Sequence, residues 1–258
     1  MSELIKRAIT GLILVLLTII LTLKGGKLLS FFVFLISVIG LREFYNAIDN
    51  IYSSIRPIGY ITCVLFFLNS LNYQIISLNF IMAFTIISLL IIFVLRENAN
   101  LSDISITILS VFYIPFLFQH IIYLDGNIYI WIIFITAWGT DTFAYLAGNL
   151  FGKNKLCPDL SPNKTVEGSI GGILGSVLLT IIFSKYLNLF PLWKLIILSA
   201  VGAILAQLGD LTASKIKRIA NIKDYGFIIP GHGGILDRFD SILFTAPFVY
   251  CFVKFFIL

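Results

Sequence analysis

The chain has 258 residues, 59% of them hydrophobic and only 12% charged, with a mean hydropathy of +1.01 and a formal net charge of +5. Soluble domains carry about 25% charged residues, so this composition excludes an ordinary soluble domain and places the chain in a membrane. Its positive charge then belongs to loops facing anionic lipid rather than to nucleic-acid binding.

Lys6 and Arg7 precede an apolar run that ends at Lys24-Gly25-Gly26-Lys27 without an A-x-A cleavage site, which predicts an uncleaved first span over 5–23. Further apolar runs of helix length, bounded by Gly, Pro, Asn or charge, follow at 28–47, 57–71, 76–95, 105–123, 128–149, 167–188, 192–213 and 241–257. The third is short, and Pro115 is expected to kink the fifth. The expected fold is an all-α, polytopic integral membrane protein of about nine transmembrane helices, forming one membrane domain over 1–258. Within it, helices of 1–127 would shape a lipid-facing cavity and 128–258 would carry the site. Cys63, Cys157 and Cys251 are scattered, so no disulfide framework or zinc site is expected.

With the N-terminus in the cytoplasm, thirteen of the eighteen Lys and Arg lie on the cytoplasmic side, leaving Lys24, Lys27, Lys185, Lys194 and Lys254 opposite. That asymmetry predicts an N-terminus inside, a C-terminus outside, and polar loops 150–166 and 214–240 both facing the cytoplasm.

Three polar constellations interrupt the apolar pattern. The first starts at Asp141 in Trp138-Gly139-Thr140-Asp141-Thr142 and leads to Ser161-Pro162-Asn163-Lys164-Thr165-Val166-Glu167-Gly168. A carboxylate inside a span costs about 2.5–3.5 kcal/mol on the insertion scale, so Asp141 should face a polar cavity or make a polar contact between helices. Lys164, Thr165 and Glu167 add a cation, a hydroxyl and a carboxylate to this block. Gly168, Gly171, Gly172 and Gly175 form overlapping G-x-x-x-G pairs, a helix-packing pattern.

Asp210 begins the second constellation. On a helix Asp210, Ser214 and Lys217 stand at i, i+4 and i+7 and share a face, while the adjacent Arg218 points elsewhere. These groups are either solvated beyond the end of a span or part of a site. The third, Pro230-Gly231-His232-Gly233-Gly234-Ile235-Leu236-Asp237-Arg238-Phe239-Asp240, follows Lys223 and Asp224. Gly233 and Gly234 permit φ > 0 and close backbone approach, and Asp237 and Asp240 either cap the last helix or serve a ligand. Carboxylates for a hard cation beside cations and backbone N–H groups for phosphate are the groups that polyphosphate chemistry requires.

The spacing S-x-x-K-R-x4-K-D-x-G-x5-H-G-G-x-x-D-R-x-D over 214–240 resembles the signature of phosphatidate cytidylyltransferases, the CDP-diacylglycerol synthases, without departure. D-T-x-A-Y-x-x-G-x-x-F-G from Asp141 and S-P-x-K-T-x-E-G from Ser161 resemble further blocks of that family. The resemblance implies transfer of a cytidylyl group from CTP to phosphatidic acid, giving CDP-diacylglycerol and pyrophosphate, in phospholipid synthesis at a bacterial inner membrane. It implies Asp210 and Asp237 as Mg²⁺ ligands and catalytic residues, with Lys217 and Arg218 handling phosphate. Asp141, Lys164, Thr165, Glu167, Ser214, Lys223, Asp224, His232, Gly233, Gly234, Arg238 and Asp240 would line the substrates. A second, monovalent cation such as K⁺ is implied beside Mg²⁺, and a homodimer is left open. Two readings compete: a CTP-dependent enzyme acting on a polyprenol or ether lipid, and an ion-coupled transporter, to which an intramembrane Asp also suits.

Overall fold

The structure is a computed structural model describing residues 3–71, 76–189, 191–229, 231 and 233–257, with side chains from residue 10 onward. Ten α-helices and one short hairpin make up the described chain: α1 Glu3–Lys24, α2 Gly26–Ile48, α3 Arg56–Leu71, α4 Leu78–Leu95, α5 Leu101–Val111, α6 Leu117–Ile122, α7 Ile130–Phe151, β1 Lys155–Cys157, β2 Ser161–Thr165, α8 Val166–Tyr186, α9 Leu192–Ile219 and α10 Leu236–Phe252. Seven helical stretches, counting α5 to α6 and α10 with its C-terminal turn as one each, are long and apolar enough to cross a membrane. Thr10–Lys24 and Arg56–Leu71 are shorter apolar helices, so the nine expected apolar segments are all helical. At 1.5 Å per residue, the 16 residues of α3 reach about 24 Å, short of the roughly 30 Å hydrocarbon core. The protein is an all-α polytopic membrane protein.

Pro115 interrupts the fifth span as expected. It lies in a π-helical turn, Phe112–Phe116, between α5 and α6. Proline has no N–H to donate and its ring crowds the preceding turn, and a widened π turn accommodates both. Two boundaries differ from the sequence reading. The eighth span runs on to Ile219, so Ser214, Lys217 and Arg218 are helical rather than loop residues. The segment 150–166, expected to be irregular, contains the antiparallel pair β1–β2, with Lys155 opposite Thr165 and Cys157 opposite Ser161.

The chain forms two compact units. One comprises 1–125 and 220–238, the other 126–219 and 239–258. In the first, hydroxyl groups pair across helices, as expected where no water is available to satisfy them. Tyr45 Oη lies 2.7 Å from Ser110 Oγ, Thr62 Oγ1 lies 2.8 Å from Thr85 Oγ1, and Thr107 Oγ1 accepts the Ile55 N–H at 2.9 Å. The two ends of α2 meet different loops. Gly26 N–H at its start donates to Asp125 at 2.6 Å, while Glu43 near its far end meets Gly226, Gly234, Ile235 and Leu236. Segments 24–26 and 125 therefore share one end of this unit, and Gly226, Gly234, Ile235 and Leu236 lie at the other.

In the second unit α7 and α8 pack through the predicted glycines. A methyl group added at Gly168 would lie 2.8 Å from the Ala144 carbonyl, and at Gly172 it would lie 2.9 Å from the Thr140 carbonyl. Gly171 and Gly175 face Ala147 and Phe143 still more closely. Ser176 and Thr180 of α8 reach Ser199 of α9 at 2.8 and 3.0 Å. At Gly209, α9 comes so near α10 that a Cβ would lie 2.6 Å from the Asp240 carbonyl oxygen.

Candidate active site

In the second unit the polar side chains gather at the end of α9. Asp210 sits one residue past the close contact at Gly209 and is bound from two directions. Lys164 of β2 forms an ion pair with its Oδ2, and Ser214 Oγ, one helical turn on, donates to its Oδ1 at 3.5 Å. Lys164 reaches it because β2 leads directly into α8, whose first turn is fixed by local hydrogen bonds. Thr165 caps the helix, its Oγ1 accepting the Gly168 N–H at 3.0 Å. Glu167 turns back to accept the N–H groups of Lys153 and Asn154 at 3.0 and 3.2 Å and the Asn154 side-chain amide at 2.8 Å. Glu167 thus ties the start of the hairpin to the helix that follows it. Ser169 and Gln207 form a reciprocal pair linking α8 to α9, with Gln207 Nε2 donating to the Ser169 carbonyl at 3.1 Å.

Asp240 is buried, and its Oδ1 accepts the Ser241 N–H at 2.7 Å. Asp210, Asp141 and Lys217 all lie within electrostatic reach of it. Ser241 Oγ donates to Asp141 at 3.2 Å, so the carboxylate of α7 meets a hydroxyl of α10. Three carboxylates are therefore grouped with two ammonium groups, Lys164 and Lys217. Arg218 points away from this face, as expected for the next residue on a helix, and its Nε lies 3.4 Å from the Leu160 carbonyl in the hairpin turn.

Asp237 belongs to the first unit. Its Oδ2 accepts two backbone N–H groups, from Tyr225 at 2.8 Å and Gly234 at 2.9 Å. Gly233 has φ +86° and Gly231 φ +78°, and the Ile229 N–H bonds the Gly233 carbonyl at 3.0 Å. A side chain at Gly233 would meet Asp237 at 2.8 Å and Asp224 at 3.3 Å. The expectation for these glycines needs one correction: Gly233 has the positive φ, whereas Gly234 provides space. The group that approaches Gly234 is the protein's own Glu43 carboxylate, 2.6 Å from where a Cβ would stand. Lys223 and Arg238 are exposed on the same segment, and His232 lies outside the described residues.

Glu43 and Ser241 are the polar residues that sequence reasoning missed. A signal for Glu43 existed, since a carboxylate inside an apolar run marks a functional position by the same logic applied to Asp141.

A family model described as the cytidylyltransferase family matches residues 5–256. This chain belongs to the cytidylyltransferase family. Among relatives in this family, the phosphatidate cytidylyltransferase of Staphylococcus epidermidis is 37% identical over 250 residues, covering 93% of this chain and 95% of that protein. Those of Staphylococcus haemolyticus and Staphylococcus aureus are each 35% identical, over 257 and 250 residues, with the same coverage. The cytidylyltransferase likeness thus includes the N-terminal helices as well as the polar constellations.

Proposed function

We infer that this protein transfers the cytidylyl group of CTP to phosphatidate, releasing pyrophosphate and forming CDP-diacylglycerol. The observation that carries this reading is likeness along nearly the whole chain to relatives named for that activity. The grouping of carboxylates and cations described above supports it. An oxygen of the lipid phosphate attacks the α-phosphorus of CTP, a new P–O–P bond forms, and the bond to the β-phosphate oxygen breaks. No covalent enzyme intermediate is needed, because the attacking oxygen is already anionic at neutral pH. The protein's tasks are to align the two phosphates and to offset charge as pyrophosphate departs.

Lys164 and Lys217 are proposed to take phosphate oxygens at the Asp210 end of α9. Arg218, Lys223 and Arg238 are further proposed cations for phosphate handling. Asp210 and Asp237 are the proposed ligands of Mg²⁺, and the donor chemistry fits, since Mg²⁺ takes hard oxygen ligands. Among the described residues no group of three His, Cys, Asp or Glu could hold a metal by itself. Mg²⁺ usually binds one or two carboxylates and completes its shell with water and substrate phosphate. When bound, the ion would neutralise triphosphate charge and polarise the phosphorus under attack. The charge asymmetry of the loops supports a cytoplasmic site at a bacterial inner membrane.

The test is an assay of purified protein with labelled CTP and a panel of acceptors: phosphatidate, a polyprenyl phosphate and an ether-linked phosphatidate analogue. Mg²⁺-dependent formation of CDP-diacylglycerol is expected. Labelling of the polyprenyl phosphate alone would overturn the assignment of acceptor.

A further inference from the structure

We propose that Glu43 is a positioning residue for the Asp237 segment, so that the N-terminal helices take part in the reaction by fixing the start of α10. Glu43 lies inside the apolar span of α2 and is only 3% exposed. A carboxylate there requires compensation, and it finds it in two main-chain groups far along the chain. Oε1 accepts the Ile235 N–H and Oε2 the Leu236 N–H, both at 2.9 Å. These are amides at the start of α10, which have no partner within the helix and carry the positive end of its dipole. With each carboxylate oxygen taken by an amide, Glu43 serves as an anchor for backbone.

The glycines at this contact have the same explanation. A Cβ at Gly226 would stand 2.8 Å from Glu43 Oε1, and one at Gly234 2.6 Å from the same carboxylate. Two turns of the 220–238 segment thus close around one side chain. Gly234 also donates its N–H to Asp237 Oδ2, so the residue pressed against Glu43 is also one of those that bind Asp237. Glu43 sets the backbone from one side, and Asp237 is tied to that backbone from the other. The role in the reaction rests on the proposed function of Asp237 as a metal ligand. The anchoring role itself does not.

The experiment uses full-length protein in lipid nanodiscs and reads hydrogen exchange over 225–238 beside the Mg²⁺ dependence of turnover. Glu43→Gln keeps the shape of the side chain but turns an amide NH₂ toward one of the two N–H donors. It is expected to speed exchange at Ile235 and Leu236 and to raise the half-saturating Mg²⁺ by roughly 10- to 100-fold, as for residues that orient a metal ligand. A merely structural loss would lower the active fraction without moving the Mg²⁺ requirement. Gly234→Ala should disturb the same contact in otherwise native protein, yet add little in a Glu43→Ala background, because the obstructing carboxylate is then gone. If Glu43→Gln fails to fold, Gly234→Ala and Gly226→Ala read the same contact with Glu43 intact. Unchanged exchange in these variants, or faster exchange with unaltered turnover and Mg²⁺ dependence, would overturn the proposal. Full activity of Asp237→Asn would instead remove the metal role and leave the exchange result standing.

Discussion

Gly209→Ala adds a single methyl group where α9 meets α10, and its effect follows from the geometry. The new Cβ would stand 2.6 Å from the Asp240 carbonyl oxygen and 3.2 Å from Phe244 Cδ2. Ordinary van der Waals contact begins at 3.4 Å, so the two helices must part by about 0.8 Å, because the nearer atom belongs to the backbone and cannot rotate away. Overpacking of this kind costs about 1–3 kcal/mol, which a helical bundle of this size should survive as folded protein. The reaction is less forgiving. Asp210 adjoins Gly209 and Asp240 is the residue struck, so the substitution separates two carboxylates that lie within electrostatic reach of each other. A misplacement near 1 Å can reduce rate by roughly 100-fold, far more than the stability change alone would cause. The assay is CTP-dependent formation of CDP-diacylglycerol by monodisperse protein, with thermal unfolding followed in parallel. Native turnover in the variant would refute the claim that this helix contact sets the site.

Asp237→Asn retains an oxygen for the Tyr225 and Gly234 N–H groups while removing the charge that a hard cation needs, so the variant should fold, lose nearly all activity and gain little from excess Mg²⁺. Robust Mg²⁺-dependent turnover would leave Asp237 as a loop anchor only. Lys217→Ala, on the Asp210 face of α9, should raise the CTP concentration needed for half-maximal rate or lower turnover by roughly 10-fold or more, the loss typical of a charge-assisted phosphate contact. Wild-type kinetics at limiting CTP would remove it from the site. Cys157 lies in β1, so with Cys63 and Cys251 replaced an impermeant thiol reagent should label it from the cytoplasmic side, and labelling only from the opposite face would invert the orientation.

The spans were legible because a bilayer demands about twenty apolar residues in a row, a pattern that needs no knowledge of tertiary contacts. What blurred the end of α9 was Lys215, Lys217 and Arg218. Their charges read as a loop, yet Lys and Arg are good helix formers, and the helix continues to Ile219. The β1–β2 hairpin has strands of three and five residues with Pro162 inside the second, too little alternation to register as a strand pattern. The residue types of the site could be read locally, since Asp210, Ser214 and Lys217 share a helical face whatever surrounds them. The purpose of Gly234 could not, because the carboxylate it accommodates lies 191 residues earlier in the chain. Asp141 was marked by its place in an apolar run, but its Ser241 partner, 100 residues away, depends on how α10 packs.

The seam between α7 and α8 owes little to water. Its helices interlock through Gly168, Gly171, Gly172 and Gly175, which meet backbone, Ala147 and the Phe143 ring of the facing helix. Lipid tails are as apolar as the side chains they would replace, so contact dispersion rather than expulsion of solvent holds such a pair together. Hydrophobic attraction fades on cooling, whereas an interlock of this kind has no such dependence. The platform bearing Asp141 on one helix and following Lys164 on the other should therefore keep its shape in a chilled membrane, while the surfaces most sensitive to temperature are those of the polar segments that water reaches.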